Sequence, residues 1–287
     1  MDGDDGRTAV PGGYLYRRHT LAVRVAHAIN LVALVLLFMS GLAIFNAHPA
    51  LYWGKSSYTG APPILAIGLA EGPNDTVRGV TTVGGASFDT TGVLGLSNDR
   101  RGRPSARAFP WWITVPDDQW LSMARSWHLF FAWVLLLNGL FYLVHGIASR
   151  HFARDVVPTG AEMRGIGGSI LDHLRFRHAR GEAARRYNVL QKLAYLAVVF
   201  VLLPLTILTG LGMSPWLNGL WPGWVDLLGG RQSARTIHFV CAWSIVLFAL
   251  VHVFMLLVTG PWNHVRSMIS GRYRIDTSHA ESRHEAR

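Results

Sequence analysis

Five histidines lie within long apolar segments of this sequence: His27, His128, His145, His238 and His252. These segments contain no Asp, Glu, Lys or Arg. An ionisable residue in such a segment is a candidate for function, but a proton relay or a divalent-cation pathway would normally include carboxylates. Imidazoles without carboxylates suit haem iron, because four pyrrole nitrogens already bind the iron and only axial donors are missing. The residue types therefore favour haem ligation.

The last two histidines are spaced so that one helix could present both of them to haems. His238 and His252 share one apolar segment, and a separation of 14 residues leaves them only about 40° apart around a helix of about 100° per residue. With a rise of about 1.5 Å per residue, they lie about 21 Å apart along the axis. An apolar membrane core is about 30 Å thick, so one ligand would lie in each leaflet. The spacing predicts two sites, one towards each membrane face.

The apolar segments themselves have the length of membrane spans. About 20 residues of helix cross the hydrocarbon core, and uncharged stretches of about this length occur at 25–45, 126–148, 193–213 and 236–260. We therefore expect an all-α membrane protein, a bundle of four transmembrane helices. Residues 1–275 would form one membrane domain, with a long loop at 46–121 between the first and second helices. The polar tail, 276–287, is expected to be disordered.

Basic residues predict how the spans are oriented. Arginines concentrate before the first span, between the second and third, and after the fourth, whereas the 46–121 loop has as many acidic as basic residues. The positive-inside rule then places both termini in the cytoplasm and the 46–121 loop on the opposite side of the membrane. The net charge of +10 indicates attraction to anionic lipid rather than binding of nucleic acid. The loop itself is either a floppy excursion or a docking surface for an extracytoplasmic partner.

Depth in the membrane predicts how the histidines pair. With this orientation, His128 and His238 lie near the outer face, whereas His27 and His252 lie near the inner face. We therefore expect an outer pair, His128 with His238, and an inner pair, His27 with His252, each binding one iron. A bis-histidine iron has no open position for oxygen or substrate, which favours electron transfer.

Other polar residues near these sites have less specific interpretations. His145 follows His128 by 17 residues, about 100° off its helix face, and could reach the inner haem, a quinone or, most simply, the membrane interface. Arg125, Arg231 and Arg235 could pair with haem propionates, although snorkelling to headgroups explains them almost as well. Four glycines in the spans would let a haem or another helix approach closely: Gly41, Gly139, Gly210 and Gly212.

Several stretches of the sequence carry a family resemblance. They are RHTLAVRVAHAIN around His27, RSWHLFFAWVLLLNGLFYLVHG around His128, and GGRQSARTIHFVCAWSIVLFALVHVF around His238 and His252. Over residues 16–275 the chain resembles the four-helix bacterial diheme cytochromes b, which include membrane subunits of nickel-iron hydrogenase, formate dehydrogenase and thiosulfate reductase. The resemblance implies the same four ligands and two haem b groups held without covalent attachment. It further implies electron exchange with quinone near the inner haem and with a partner outside, such as a molybdopterin oxidoreductase.

Three functions compete at this level. The first is an electron-transfer subunit, rather than a complete enzyme, that links the quinone pool to an extracytoplasmic redox partner. The second is a stand-alone membrane quinone oxidoreductase that uses a small diffusible substrate such as superoxide. The third is a haem-free transporter or sensor. The absence of carboxylates in the spans counts against the third, and the long 46–121 loop favours the first over the second.

Overall fold

The computed structural model describes residues 7–57, 60–117, 119–150, 152, 156–174, 188–221 and 223–276. Long apolar helices dominate it, as the sequence predicts. In chain order the helices are α1 (Leu21–Phe45), α2 (Leu121–Ala148), α3 (Gly160–Arg164), α4 (Ile166–Leu174), α5 (Val189–Ala197), α6 (Leu203–Gly212), α7 (Pro215–Leu220), α8 (Arg231–Val258) and α9 (Pro261–Ser270).

Among the residues that the structure describes, four helical segments are long and apolar enough to cross a membrane: α1, α2, residues Val189–Gly212, and α8. Large apolar side chains lie on the outside of these helices, and Leu31, Leu137 and Leu247 are 60–63% exposed. Such surfaces are unfavourable in water but match the hydrocarbon of a bilayer. The protein is therefore a multi-pass membrane protein built on four helices, and the expected bundle of membrane helices is confirmed. Helices α1, α2 and α8 begin some residues before the uncharged stretches at 25–45, 126–148 and 236–260.

The third span changes its helical winding along its length. A π-helical segment, Val198–Leu202, joins α5 to α6, and Pro204 follows immediately in the first turn of α6. Proline lacks the N–H that would continue the ladder, and its ring clashes with the carbonyl one turn earlier. A wider turn before the proline relieves that clash, which accounts for the π segment at this place.

The structure also contains strands, which form three small antiparallel sheets. In chain order they are β1 (Thr8–Val10), β2 (Gly13–Arg17), β3 (Ala50–Leu51), β4 (Leu65–Glu71), β5 (Val77–Val83), β6 (Ala86–Asp89), β7 (Gly95–Asn98), β8 (Pro104–Arg107) and β9 (Arg272–Asp276). Strands β3–β4–β5–β6 form one sheet in that order, β7 and β8 pair as a hairpin, and β1–β2–β9 form the third sheet.

The long segment between α1 and α2 is folded, so the expectation that it could be a floppy excursion is wrong. We call residues 46–120 the β cap. Its buried side chains Leu51, Ile67 and Phe109 form one cluster with Leu42 and Phe45 at the end of α1. Burial of an aromatic or branched apolar side chain contributes about 1.5–3 kcal/mol. The β cap is thus held by an apolar core that continues onto the membrane helices.

Polar contacts join the β cap to the start of α8. The Gly54 carbonyl accepts from the backbone N–H groups of Gln232 and Ser233 at 3.0 and 3.2 Å, and so satisfies two of the unpaired donors of the first helical turn. The Ser233 hydroxyl accepts in return from the Gly54 N–H at 2.8 Å. The Thr236 hydroxyl donates to the Tyr52 carbonyl at 2.7 Å. These bonds fix the helix that carries His238.

The two ends of the described chain pair with each other. Strand β2 runs antiparallel to β9, with Gly13 opposite Asp276 and Arg17 opposite Arg272. Tyr16, Tyr273 and Ile275 form a buried cluster on this sheet. Asp276, the first residue of the tail expected to be disordered, belongs to β9, whereas residues 277–287 lie outside the described residues.

The chain divides into two compact units, and each predicted histidine pair lies within one of them. One unit consists of Met1–Ala28, Asn138–Leu202 and Ser244–Arg287, and includes His27 and His252. The other consists of Ile29–Leu137 and Leu203–Trp243, and includes His128, His238 and the β cap.

Candidate functional site

The structure brings the outer pair together. The imidazole rings of His128 on α2 and His238 on α8 have centroids 6.1 Å apart and planes inclined by 62°. Two imidazoles bound to opposite sides of one metal, with metal–nitrogen bonds of about 2 Å, have centroids about 6 Å apart. The spacing therefore matches that of two axial ligands of one iron.

The His128 ring is held by the neighbouring helix α1. Its Nδ1 lies 3.1 Å from the Leu37 carbonyl oxygen and 3.1 Å from the Ser40 hydroxyl oxygen. A carbonyl oxygen only accepts, so Nδ1 carries the ring hydrogen and donates it. The unprotonated nitrogen is then Nε2, whose lone pair is available to a metal.

The His238 ring is held in the same way by α6. Its Nδ1 lies 2.9 Å from the Thr206 carbonyl oxygen and 3.2 Å from the Thr209 hydroxyl oxygen. The carbonyl again requires a hydrogen on Nδ1 and leaves Nε2 as the free donor atom. The donor set is thus two neutral imidazoles with matching tautomers, which fits an axially ligated haem iron.

Two of the glycines singled out in the sequence lie against these rings. A Cβ added to Gly41 would be 3.3 Å from Cε1 of His128, and one added to Gly210 would be 3.3 Å from Cε1 of His238. A Cβ added to Gly212 would instead be 2.9 Å from Cδ1 of Leu228, and one added to Gly139 would meet nothing within 4 Å. Gly41 and Gly210 therefore let the backbone of one helix approach the imidazole of the next.

The arginines near the outer pair differ in their surroundings. Arg235 donates through its two terminal nitrogens to the backbone carbonyls of Ala50 and His48, and its guanidinium lies over the Phe45 ring at 5.3 Å. Arg125 and Arg231 are exposed. Arg235 thus has a structural role in fixing the β cap, which the sequence did not indicate. Pairing of any of the three with a propionate remains a prediction.

The inner pair is placed in one unit but without a ring contact of the kind seen in the outer pair. His27 on α1 is exposed and His252 on α8 is half-buried, and the two lie close enough to interact electrostatically. The His252 ring stacks on Phe248 at 5.8 Å and meets the edge of Tyr195 at 6.4 Å. Their assignment as the second axial pair remains a prediction.

A buried amide fixes the helix turn that precedes His27. The Asn138 side chain on α2 is 8% exposed, and its Nδ2 donates to the Ala26 carbonyl at 2.8 Å. His145 lies about two turns further along α2, stacks on Phe141 at 6.1 Å and is half-buried. Its interpretation as a residue of the membrane interface stays a prediction.

Sequence reasoning did not single out Ser40, Thr209 or Asn138. The sequence does contain a pattern that could have indicated them: each is a polar residue in an apolar span, and Ser40 and Thr209 each precede a glycine. Hydroxyls in membrane helices commonly bond their own backbone, so only the positions of the neighbouring imidazoles reveal the role of these two. Among the described residues, no group of three or more His, Cys, Asp or Glu side chains could hold a bare metal ion.

Comparison with known proteins places the chain in a family. The family model described as prokaryotic cytochrome b561 matches residues 18–271. This range contains all four spans and both histidine pairs.

Two curated relatives show partial similarity. A protein of Azospira oryzae described as YedZ1, a subunit of a protein-methionine-sulfoxide reductase, is 33% identical over 150 residues, which cover 52% of this chain and 73% of the relative. A protein of Cupriavidus necator described as a B-type cytochrome subunit of a Ni/Fe-hydrogenase is 27% identical over 161 residues, or 51% of this chain and 66% of the relative.

Proposed function

The chain belongs to the prokaryotic cytochrome b561 family, and from that premise we propose that it binds two haem b groups and conducts electrons across the membrane. His128 and His238 would hold the outer haem, and His27 and His252 the inner one. A haem b held by two imidazoles supplies reversible one-electron exchange at its iron without an open site for substrate. The protein itself holds the two outer imidazoles in position through hydrogen bonds at their Nδ1 atoms.

The observation that carries this proposal is the geometry of the outer pair. Two imidazoles from different helices lie 6.1 Å apart, and each has its Nδ1 hydrogen committed to a carbonyl of a further helix. A polar cluster of this kind costs free energy in an apolar bundle unless it binds something. His128 and His238 would hold a haem iron, which would supply the missing interaction.

A redox partner outside the membrane completes the proposed function. Both curated relatives are described as subunits of larger oxidoreductases, which supports a partner for this chain. The β cap is a folded domain joined to the helix that carries His238, and it lies on the side predicted to be extracytoplasmic. We therefore propose that an extracytoplasmic redox partner, such as a molybdopterin oxidoreductase, docks on the β cap.

Quinone is the proposed electron carrier near the face of the membrane that is predicted to be cytoplasmic. Arginines flank the spans at the ends predicted to be cytoplasmic, which supports an inner-membrane location with both termini in the cytoplasm. The inner haem would then exchange electrons with the quinone pool near that face. In this arrangement the chain is an electron-transfer subunit rather than a complete enzyme.

Haem content of the purified full-length chain tests the two-haem proposal. Extraction of haem from protein purified in detergent should give two haem b per chain, and a redox titration should resolve two transitions. His128→Ala and His238→Ala should each remove the same haem. His27→Ala and His252→Ala should each remove the other.

His145→Ala is the matched control, because His145 is also an imidazole within a span. We expect it to keep both haems. One haem per chain in the unaltered protein, or loss of a haem in His145→Ala with retention in His27→Ala, would contradict the assignment. Turnover of quinol by the purified chain alone, with a small oxidant and no partner, would favour the stand-alone oxidoreductase.

A further inference from the structure

We propose that Ser40 and Thr209 are positioning residues of the outer haem, which set its redox potential through the hydrogen bonds that they accept from His128 and His238. The inference deepens the proposed function and rests on it, since it concerns the same outer site. It assigns a role to two hydroxyls within apolar spans that would otherwise be ordinary helix residues.

Each hydroxyl donates its hydrogen within its own helix, so its oxygen is left to act as an acceptor towards the imidazole. The Ser40 hydroxyl donates to the Leu36 carbonyl at 2.6 Å, and the Thr209 hydroxyl donates to the Leu205 carbonyl at 2.7 Å. A hydroxyl has one hydrogen, so once that hydrogen is committed the oxygen can only accept from a further neighbour. The neighbour in each case is an imidazole Nδ1, at 3.1 Å from Ser40 and 3.2 Å from Thr209.

The two halves of the site repeat one arrangement. On α1 the carbonyl of Leu37, the hydroxyl of Ser40 and the backbone of Gly41 face His128. On α6 the carbonyl of Thr206, the hydroxyl of Thr209 and the backbone of Gly210 face His238. The spacing is the same in both: the carbonyl comes three residues before the hydroxyl, and the glycine comes one residue after it.

Complete burial shows that neither hydroxyl has water as an alternative partner. Ser40 and Thr209 are both 0% exposed. In such surroundings a hydrogen bond is electrostatically stronger than in water. Each ring hydrogen is therefore shared between a carbonyl oxygen and a hydroxyl oxygen. The two acceptors come from two residues within one turn of the neighbouring helix.

The hydrogen bonds at Nδ1 change the basicity of Nε2 on the other side of the same ring. Acceptors at Nδ1 draw the ring hydrogen outwards and raise the basicity of the nitrogen that faces the metal. A more basic axial ligand stabilises ferric over ferrous iron, and so lowers the reduction potential. Removal of one acceptor from either imidazole should therefore raise the potential of the outer haem and leave the inner haem unchanged.

Thr209→Val provides the sharpest test, because valine has the shape of threonine without the hydroxyl. In the full-length protein in detergent, the midpoint potentials of both haems are measured by redox titration, and the outer one is identified as the transition that His128→Ala removes. We expect the outer potential to rise in Thr209→Val and in Ser40→Ala, with loss of outer haem affinity of about tenfold. Thr209→Ser, which keeps the hydroxyl, should restore the original potential.

Ser126→Ala is the control for Ser40→Ala. Ser126 is also a helix serine that donates to the carbonyl four residues earlier, Ser122 at 3.1 Å, but it is exposed. An outer potential that does not move in Thr209→Val, or that moves equally in Thr209→Ser, would overturn the inference. An equal shift of both haems would overturn it as well. A purified wild-type chain without two haems would instead contradict the proposed function.

Discussion

Gly210 lies directly against the His238 imidazole, so that a Cβ on this residue would be 3.3 Å from Cε1 of the ring. Gly41 has the same relationship, at the same distance, to His128. Contacts at this distance are tighter than ordinary van der Waals contact between carbon atoms, for which the optimum is about 3.5–4.0 Å. The two glycines are therefore part of the ligand geometry.

Gly210→Ala and Gly41→Ala should displace the imidazole that each glycine faces. We expect a lower content of outer haem and a changed low-spin EPR signal for that haem, while the inner haem keeps its signal. Gly139→Ala is the matched control, since its added Cβ would meet nothing within 4 Å. It should leave both haems intact and favour the helix by up to about 1 kcal/mol. Alanine variants at positions 41 and 210 that behave like Gly139→Ala would contradict this role.

Arg235→Met should loosen the β cap from α8. The change removes the donors to the carbonyls of Ala50 and His48, and a hydrogen bond to a charged group contributes about 1.5–3 kcal/mol. Faster hydrogen exchange in residues 48–55 would report it. Arg231→Met, an exposed arginine one turn earlier on the same helix, should have no such effect. A fall in the outer haem potential without faster exchange would mean that Arg235 pairs with a propionate instead.

Arg107→Met should destabilise the β cap itself. Arg107 is 8% exposed and donates to the Phe109 carbonyl at 2.7 Å, the Thr114 hydroxyl at 2.8 Å and the Asp117 carbonyl at 2.9 Å. Hydrogen bonds to a charged group contribute about 1.5–3 kcal/mol, so the loss of these bonds should lower the stability of the β cap. Protease cleavage within the β cap should therefore become faster.

Arg101→Met is the control for that change, because Arg101 is exposed on the same hairpin loop. It should be cleaved at the wild-type rate, as most surface substitutions change stability by less than about 0.5 kcal/mol. Equal rates in the two variants would show that the buried guanidinium does not hold the β cap.

The ion pair between Glu162 and Lys192 predicts an acid-sensitive contact between α3 and α5. Lys192 has a side chain only 7% exposed and lies 2.9 Å from the Glu162 carboxylate. A hydrogen bond from the backbone N–H of Thr159, and next the Lys192 ammonium, hold the pKa of Glu162 below its usual value. Because the pKa is lowered on folding, this stabilisation is complete above the unfolded pKa of about 4.3 and is lost as the pH falls through the folded pKa.

Thermal unfolding in detergent, measured from pH 6 down to pH 3, checks this contact. Glu162→Gln should lower the stability at pH 6, because the Lys192 ammonium loses its counter-charge, at a cost of about 1–3 kcal/mol. It should also flatten the acid dependence. The double variant Glu162→Gln with Lys192→Met should be more stable than Glu162→Gln alone. An unchanged acid dependence in Glu162→Gln would show that another carboxylate controls it.

The spans and the spacing of the histidines along them were predictable, because both depend on local properties of the chain. An uncharged stretch of about 20 residues fixes a membrane helix, and the rise per residue fixes how far apart His238 and His252 lie along it. The outer pair also followed, since depth left few partners for His128. The inner pair was predicted by the same reasoning, and its ligation still awaits the haem measurements described above.

The β cap and the terminal sheet were not predictable from such local properties. Their strands are short, and the pairing of Gly13 with Asp276 joins residues that are distant along the chain. Register between strands depends on the faces that become buried and on the turns that join them. In the β cap the buried face is supplied by Phe45 and Phe239 of the membrane helices, which no pattern within residues 46–121 reveals.

By itself, the sequence determined the membrane helices and how far apart His238 and His252 lie along one of them, because helix geometry converts residue number into distance. The tertiary structure alone decided what surrounds the outer imidazoles: the hydroxyls of Ser40 and Thr209, the backbones of Gly41 and Gly210, and two helix carbonyls. These groups come from helices other than those that carry the ligands. Their approach depends on how closely the helices pack, which is set by contacts between distant parts of the chain.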